Sequence, residues 1–173
     1  MQFFELAFLV WFYPEQAFRR LRGFGRYPVA LVWLAATAPL MLLAAGKTAV
    51  VPALAMWGLW TAGWLVSACL IHALALRRFS RPLLRDWLLL SAWAHLPVWV
   101  MTPFAAVGPK AAALALLGAL AWVLLLEGQA VKLLYNRTGS FALGAVLLPR
   151  LLPLAAGLFA LGALLAALVS LFV

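Results

Sequence analysis

Long apolar runs, separated by short stretches rich in arginine, make up most of this chain. A helix that crosses a bilayer needs about 20 mainly apolar residues, at a rise of about 1.5 Å per residue. Five runs reach that length, so the pattern predicts an all-α membrane protein with five transmembrane helices in a single domain, residues 1–173. The predicted spans cover residues 27–46, 52–76, 87–107, 111–131 and 151–173.

The last apolar run is longer than one span requires, so its boundary is open. Pro149 and Pro153 offer a natural break, which places residues 141–148 near the membrane interface and leaves the rest to span alone. If the helix instead continues upward from Ser140, Arg150 lies inside the bundle. The sequence is compatible with both arrangements.

Residues 2–22 precede the first predicted span and contain no run long enough to cross a membrane. Residues 2–13 are apolar and aromatic, Pro14 ends them, and residues 15–22 are typical of a short basic helix. We expect an amphipathic segment in the plane of the cytoplasmic interface, with its rings in the acyl boundary. It would orient the first span or, alternatively, offer a surface for a partner.

Composition supports the membrane interpretation. The chain is 68% hydrophobic and only 10% charged, and its mean hydropathy is +1.10. Soluble domains carry about 25% charged residues, and disordered chains are more polar still. A soluble domain of this length could not bury so much apolar surface. The single cysteine, Cys69, excludes an intrachain disulfide and any metal cluster built from several cysteines of one chain.

The net charge of +9 comes from basic residues that cluster between the apolar runs. This placement indicates membrane topology and anionic lipid headgroups rather than nucleic acid. Ten basic residues lie in the predicted loops of one side, against Lys47 and Lys110 on the other. The positive-inside rule therefore predicts a cytoplasmic N-terminus and a C-terminus outside. The predicted lipid-contacting residues are Arg19, Arg20, Arg22, Arg26, Arg77, Arg78 and Arg81.

Proline and aromatic residues recur in short motifs within and between the predicted apolar helices. The motifs are residues 13–18 (YPEQAF), residues 77–82 (RRFSRP) followed by Leu96-Pro97 and Pro103 in the third span, and residues 133–142 (LLYNRTGSFA). In these motifs the chain resembles the Yip family (Ypt-interacting proteins, the Yip-one domain), and the similarity runs across nearly its whole length.

The resemblance implies five spans, a cytoplasmic N-terminus and no enzymatic activity. Eukaryotic relatives act in vesicle trafficking and associate with Rab GTPases and with one another. This chain has only a short segment before its first predicted span, whereas those relatives have a long soluble region. It looks instead like the bacterial members, so we expect an integral protein of the bacterial inner membrane without Rab binding.

Ionisable residues inside predicted spans are the first candidates for a functional site, because they are costly in a membrane and usually need a partner. His95 lies near the centre of the third span, two residues before Pro97, which removes a backbone donor from the helix. The two could form a kinked polar site that responds to protons or lipid. The alternative is a neutral histidine hydrogen-bonded to a neighbouring helix.

A second group lies towards the cytoplasmic ends of the spans. Glu127 is expected about one turn inside the fourth span, His72 at similar depth in the second, and Asp86 at the start of the third. Arg150 would join them if the last helix continues from Ser140. An unpaired carboxylate there is expensive, so Glu127 should pair with Arg150, Lys132 or a loop arginine. Such a cluster indicates either a structural ion pair or a substrate path.

Other features predict packing rather than chemistry. Cys69 and His72 share one face of the second span but find no third ligand, so we expect no metal and no cofactor. Trp57, Trp60 and Trp64 form a stripe, and Trp64 should pack against another span. Small residues of the fifth span allow close helix contact, within the bundle or in a homodimer. These are Gly162, Ala166 and Ser170.

The sequence assembles no nucleophile with a base, no phosphate loop and no catalytic pair of carboxylates. The first functional hypothesis is therefore a non-catalytic scaffold or organiser of membranes that contacts lipids and a membrane-protein partner. The second is a small component of lipid or solute transport, or a scramblase, that uses the polar cluster of His72, Glu127 and Arg150.

Overall fold

The computed structural model describes residues 3–22, 27–45, 50–76 and 82–151. All regular elements in these ranges are helices, which confirms the predicted all-α class for this part of the chain. They are α1 (Phe3–Phe12), α2 (Pro14–Leu21), α3 (Val29–Ala45), α4 (Val50–Ala75), α5 (Leu84–Ala94), a 3-10 helix (Leu96–Val100), α6 (Met101–Val107), α7 (Pro109–Tyr135) and α8 (Gly139–Leu151).

Three helical segments are long and apolar enough to cross a membrane: α4, the combined segment Leu84–Val107, and α7. They correspond to the second, third and fourth predicted spans. The first predicted span contains α3, which has 17 residues and is shorter than these three. The helix α8 is also short, and residues 152–173 lie outside the described residues. The prediction of five spans therefore stays a prediction.

The helix ends differ from the predicted span boundaries, because helices continue past the point where apolarity ends. The helix α4 begins at Val50, so Pro52 lies within its first turn, where a missing N–H still costs no helix bond. The helix α5 begins at Leu84 and holds Asp86 in its first turn, where the helix dipole favours a carboxylate. The helix α7 continues to Tyr135, beyond the predicted end at residue 131.

The N-terminal segment forms two helices that fold back on each other at Pro14, the first residue of α2. Glu5 of α1 and Arg20 of α2 are joined by an ion pair at 3.5 Å. The segment was predicted to lie in the plane of the interface with its rings in the acyl boundary. One face of α1 is instead part of the main core, where Val10 is fully buried and the Phe3 ring packs against Trp93 with centroids 5.0 Å apart.

The segment Leu84–Val107 is the most buried of the three long apolar helices. The pair α3 and α4 packs against it, and so does α7. Indole N–H groups tie these helices together: Trp87 donates to the Ala68 carbonyl at 2.9 Å, and Trp99 donates to the Ala35 carbonyl at 3.0 Å. These bonds satisfy buried donors that lipid could not satisfy.

This central segment breaks at His95, where α5 ends and the 3-10 helix begins. Pro97 lacks a backbone donor and its ring excludes an α-helical turn before it. The chain therefore tightens into a 3-10 turn, in which the Val98 N–H donates to the His95 carbonyl at 3.1 Å. The predicted kink at Pro97 is confirmed, and it leaves the His95 side chain at the centre of the bundle, 1% exposed.

After α7 the chain reverses at Asn136, which adopts the left-handed conformation (φ 50°) that ends many helices. The helix α8 packs on α7 at Gly128, where an added Cβ would lie 2.9 Å from Leu143 Cδ2. Ala142 and Val146 are fully buried. One face of residues 141–148 thus packs against the bundle, while the other face is exposed. Their predicted position near the membrane interface stays a prediction.

The predicted break at Pro149 is absent, because α8 continues through it to Leu151. Proline at this position costs one backbone bond. The burial of Val146 and an ion pair made by Arg150 offset that cost.

Candidate functional site

A buried carboxylate lies at the centre of the site. Glu127 of α7 is 0% exposed. Its Oε1 accepts a hydrogen bond from the Ser91 hydroxyl of α5 at 2.6 Å, and its Oε2 accepts one from Nη2 of Arg150 in α8. Both carboxylate oxygens are therefore engaged, and one side chain joins three helices.

The Ser91 hydroxyl extends this network to the other side of the bundle. It accepts a hydrogen bond from the indole N–H of Trp64 in α4 at 2.9 Å while it donates to Glu127. The Trp64 ring in turn stacks on Trp33 of α3, with centroids 3.9 Å apart and planes 14° apart. The prediction that Trp64 packs against another helix is confirmed. Five helices thus meet around one carboxylate.

His95 lies beside this network. Its Nδ1 is 2.8 Å from the Ser91 carbonyl oxygen, which can only accept, so Nδ1 carries the proton. The ring meets Trp33 edge to face at a centroid distance of 4.8 Å, and the charges of Glu127 and Arg150 both act on it. The predicted alternative was a hydrogen bond to a neighbouring helix, but the acceptor at Nδ1 belongs to the preceding turn of the same segment.

The ion pair explains how a carboxylate is tolerated at this position. An isolated charge in an apolar interior costs several kcal/mol, and pairing with added hydrogen bonds offsets that cost. Arg150 neutralises Glu127, and Ser91 supplies a further donor. Arg150 Nε is buried without a hydrogen-bond partner among the described residues. The hydrogen bonds that stabilise the pair are therefore those that Glu127 accepts, and loss of either charge breaks the pair.

Ser91, His95 and Glu127 are residue types found in hydrolases, but their arrangement differs from a catalytic triad. In a triad the histidine accepts the serine proton and the acid orients the histidine. Here His95 bonds to the Ser91 carbonyl rather than to its hydroxyl, and that hydroxyl donates to Glu127. The Ser91 hydroxyl donates to Glu127 instead of His95, so the three side chains do not form this triad.

The structure selects among the partners predicted for Glu127: it pairs with Arg150, as expected for a helix that continues from Ser140. Glu127 is also deeper than expected, about two turns from the end of α7 at Tyr135, because that helix is longer than its apolar run. Asp86 is half-buried at the start of α5, about 7.5 Å along the helix axis from Ser91.

His72 does not join the Glu127 cluster, contrary to the predicted grouping. Its Nδ1 lies 2.5 Å from the Tyr135 hydroxyl, at the end of α7. The Tyr135 ring is fully buried and also meets Trp87 edge to face. Tyr135 and Glu127 are about two helical turns apart, so these are separate polar contacts.

The basic residues predicted to face lipid are only partly described. Arg19, Arg20 and Arg22 are exposed on α2, and Arg19 pairs with Glu15 at 2.7 Å. The hydrogen bond from Arg19 holds the pKa of the Glu15 carboxyl below its ordinary value. The other predicted residues lie outside the described residues. These are the lipid-contact candidates Arg26, Arg77, Arg78 and Arg81, and the packing candidates Gly162, Ala166 and Ser170.

Sequence reasoning missed Arg137, which was counted only as a loop charge. Its Nε donates to the Ala75 carbonyl at 3.0 Å and its Nη2 to the Leu76 carbonyl at 2.8 Å. It therefore caps the end of α4, where backbone acceptors lack helix partners. Ser91 was missed as well, because a serine within an apolar run gives no signal of the acid it will bind.

Among the described residues, no group of three His, Cys, Asp or Glu side chains could hold a metal ion. Comparison with known proteins adds no assignment: no family model, no curated protein and no solved structure matches this chain. The resemblance to the Yip family therefore stays a prediction that rests on the motifs quoted above.

Proposed function

We propose that this protein is a non-catalytic scaffold of the membrane, which organises lipids and a membrane-protein partner on the outside of a fixed helical bundle. The observation that carries the proposal is the complete engagement of Glu127, which is 0% exposed with both oxygens bonded. A carboxylate that moves an ion or a proton must exchange partners. One that bridges three helices within a closed network instead holds them in place.

The surroundings of the ion pair support the same function. Rotation of the Ser91 side chain away from Glu127 would also release the Trp64 indole, which would then be an unsatisfied buried donor. Trp64 is stacked on Trp33, so a change at the carboxylate would disturb α3 and α4 as well. This coupling favours one stable arrangement over alternation between two.

The remaining parts of the proposal rest on sequence. The Yip-like motifs favour a role in membrane organisation or trafficking without enzymatic activity, and the loop arginines favour a cytoplasmic N-terminus and an outside C-terminus. We propose the bacterial inner membrane as the location. Three long apolar helices support membrane insertion itself.

The second candidate is a component of lipid or solute transport, and one observation favours it. The central helix is interrupted at His95, beside an ionisable pair, and interrupted helices commonly line transport sites. The proton-bearing Nδ1 of His95 is bonded to backbone rather than to Glu127. A relay between the two side chains would need a rearrangement of both.

Reconstitution into liposomes distinguishes the two functions. We would measure scrambling of a fluorescent phospholipid and proton flux with an enclosed pH dye, for the wild type, Glu127→Gln and empty vesicles. Glu5→Gln is the matched control, because it makes the same change on an exposed residue. The scaffold proposal expects wild-type flux equal to that of empty vesicles.

Flux above that level would contradict the scaffold proposal. Loss of such flux in Glu127→Gln, with retention in Glu5→Gln and with wild-type helicity of both variants by circular dichroism, would assign transport to the buried pair. A second experiment tests the scaffold directly: purification of the tagged chain from its native membrane in mild detergent. The proposal expects a stoichiometric membrane-protein partner or a second copy of the chain, and a monomer without either would count against it.

A further inference from the structure

A cleft of about 300 Å³ lies between α2 and the C-terminal end of α7. Its rim carries four basic side chains and one carboxylate, and its floor is apolar. The rim residues are Arg19, Arg22, Lys132, Arg137 and Glu15, and the floor includes Phe18, Leu90 and Leu133. This volume is at the lower end of the range for small-ligand pockets, about 300–1,000 Å³.

The charge of the cleft is only partly neutralised from within. Arg19 is paired with Glu15, which stays ionised because this hydrogen bond lowers its pKa. Arg137 uses two of its nitrogens on the carbonyls that end α4. Arg22, directly after α2, and Lys132, on α7, are exposed on opposite walls, and the cleft keeps a positive surplus.

We propose that this cleft binds the phosphate of an anionic phospholipid headgroup, with Arg22 and Lys132 as its principal ligands. Guanidinium and ammonium groups are the usual protein partners of phosphate, and Asn136 adds an uncharged polar group on the same rim. The half-buried Leu133 on the floor would contact the glycerol and the first acyl carbons.

The mixture of basic rim and apolar floor favours a lipid over a free anion. A free phosphate would be satisfied by charge alone and gains nothing from the apolar surface that Leu133 leaves accessible. An amphiphile uses both surfaces, and its headgroup lies at the level where helices end. The α7 wall of the cleft is the last turn of that helix, at Lys132 and Leu133.

This inference deepens the proposed function by naming the lipid class that the scaffold binds, and it rests on the proposed membrane location. Its test uses the purified full chain in a neutral detergent. We would titrate phosphatidylglycerol and phosphatidylcholine with identical acyl chains, and count bound lipids by native mass spectrometry. Glycerol 3-phosphate and inorganic phosphate serve as competitors that lack acyl chains.

The variants are Arg22→Gln and Lys132→Gln, with Lys110→Gln as the control. Lys110 is exposed on α7, like Lys132, but it lies near the other end of that helix and does not line the cleft. Each cleft variant should weaken phosphatidylglycerol binding about fivefold, the effect of one basic residue near an anionic surface. Lys110→Gln should leave it unchanged, and far-ultraviolet circular dichroism should show the same helicity in all variants.

Equal binding of the two lipids, or an equal loss in Lys110→Gln, would overturn the inference. Saturation by inorganic phosphate at the same concentration as the lipid would assign the site to a free anion and also reject it. These readouts are independent of flux and of partner purification. If the cleft shows no selective lipid binding and flux equals that of empty vesicles, this inference fails and the scaffold proposal stands. If the cleft binds phosphatidylglycerol but flux exceeds that of empty vesicles, the scaffold proposal fails and the lipid site stands.

Discussion

The indole N–H of Trp33 in α3 donates a hydrogen bond to the hydroxyl of Thr61 in α4 at 3.1 Å. The same pattern recurs in the opposite direction, because Trp57 of α4 donates to Thr37 of α3 at 3.0 Å. Each threonine also donates to the backbone carbonyl of the tryptophan one turn before it. Two antiparallel helices are thus joined by a reciprocal pair of bonds built from two Trp-x-x-x-Thr sequences.

We predict that Thr37→Val and Thr61→Val each destabilise the bundle by about 1 kcal/mol, because each leaves an indole donor without its acceptor. The size of the side chain is nearly unchanged, so packing should be preserved. The measurement is the free energy of unfolding in mixed micelles. Thr102→Val is the matched control, since Thr102 is exposed on α6. Equal effects at all three positions would show that the reciprocal bonds contribute nothing.

A second prediction concerns the contact between His72 and Tyr135, whose ring nitrogen and hydroxyl lie 2.5 Å apart. Tyr135→Phe should lower the free energy of unfolding by about 1–3 kcal/mol, because His72 loses its hydrogen-bond partner in a partly buried place. Tyr13→Phe removes the same hydroxyl from an exposed residue and should be nearly neutral. The pair is not a stabilising contact if the two variants unfold at the same denaturant concentration.

A third prediction concerns the cap that Arg137 places on α4. Arg137→Gln and Arg137→Lys should both speed hydrogen exchange of the backbone amides in the last turn of α4, residues 72–76. Lysine keeps the charge but cannot bond the Ala75 and Leu76 carbonyls with one planar group. Arg19→Gln, a change on exposed α2, is the control. Wild-type exchange rates in Arg137→Lys would mean that charge alone provides the cap.

The long helices were predictable from sequence because their signal is local. An apolar run of about 20 residues specifies a membrane helix whatever its neighbours are. The same reasoning located the kink at Pro97, since proline acts on its own backbone. Helix ends were less accurate, because Asp86 and Lys132 are tolerated in terminal turns while apolarity scales stop at them.

The site was harder to predict because its contacts join residues distant in sequence. The charge of Glu127 within an apolar run indicated that a partner was needed, and Arg150 was among the candidates. Its selection depended on α8 folding back along α7, where Gly128 admits the Leu143 side chain. Ser91 carries no such signal, since a serine in a buried helix has the same local pattern whether or not it binds an acid.

The sequence also could not predict that His72 and Glu127 belong to two separate polar contacts. His72 and Glu127 are at comparable distances from the ends of their apolar runs, which suggested a common depth. Because α7 extends to Tyr135, that helix offers a tyrosine hydroxyl to His72 and leaves Glu127 about two turns deeper. Depth estimated from apolarity alone misses such an extension.

The ion pair between Glu127 and Arg150 joins α7 to α8, and the same carboxylate bonds to α5. The stability of the bundle should therefore depend strongly on this pair. Arg150→Gln leaves the fully buried charge of Glu127 without its counterpart, which costs about 3–5 kcal/mol. Glu127→Gln leaves Arg150, whose side chain is 24% exposed, so it should cost less. In the double variant neither charge remains, so part of that stability should return.

A double-mutant cycle on the free energy of unfolding in mixed micelles tests this claim most directly. We expect the double variant to be more stable than the sum of the two single losses predicts, by at least about 1 kcal/mol, as for residues in direct contact. Strictly additive losses would mean that the two charges do not interact, and would contradict the account.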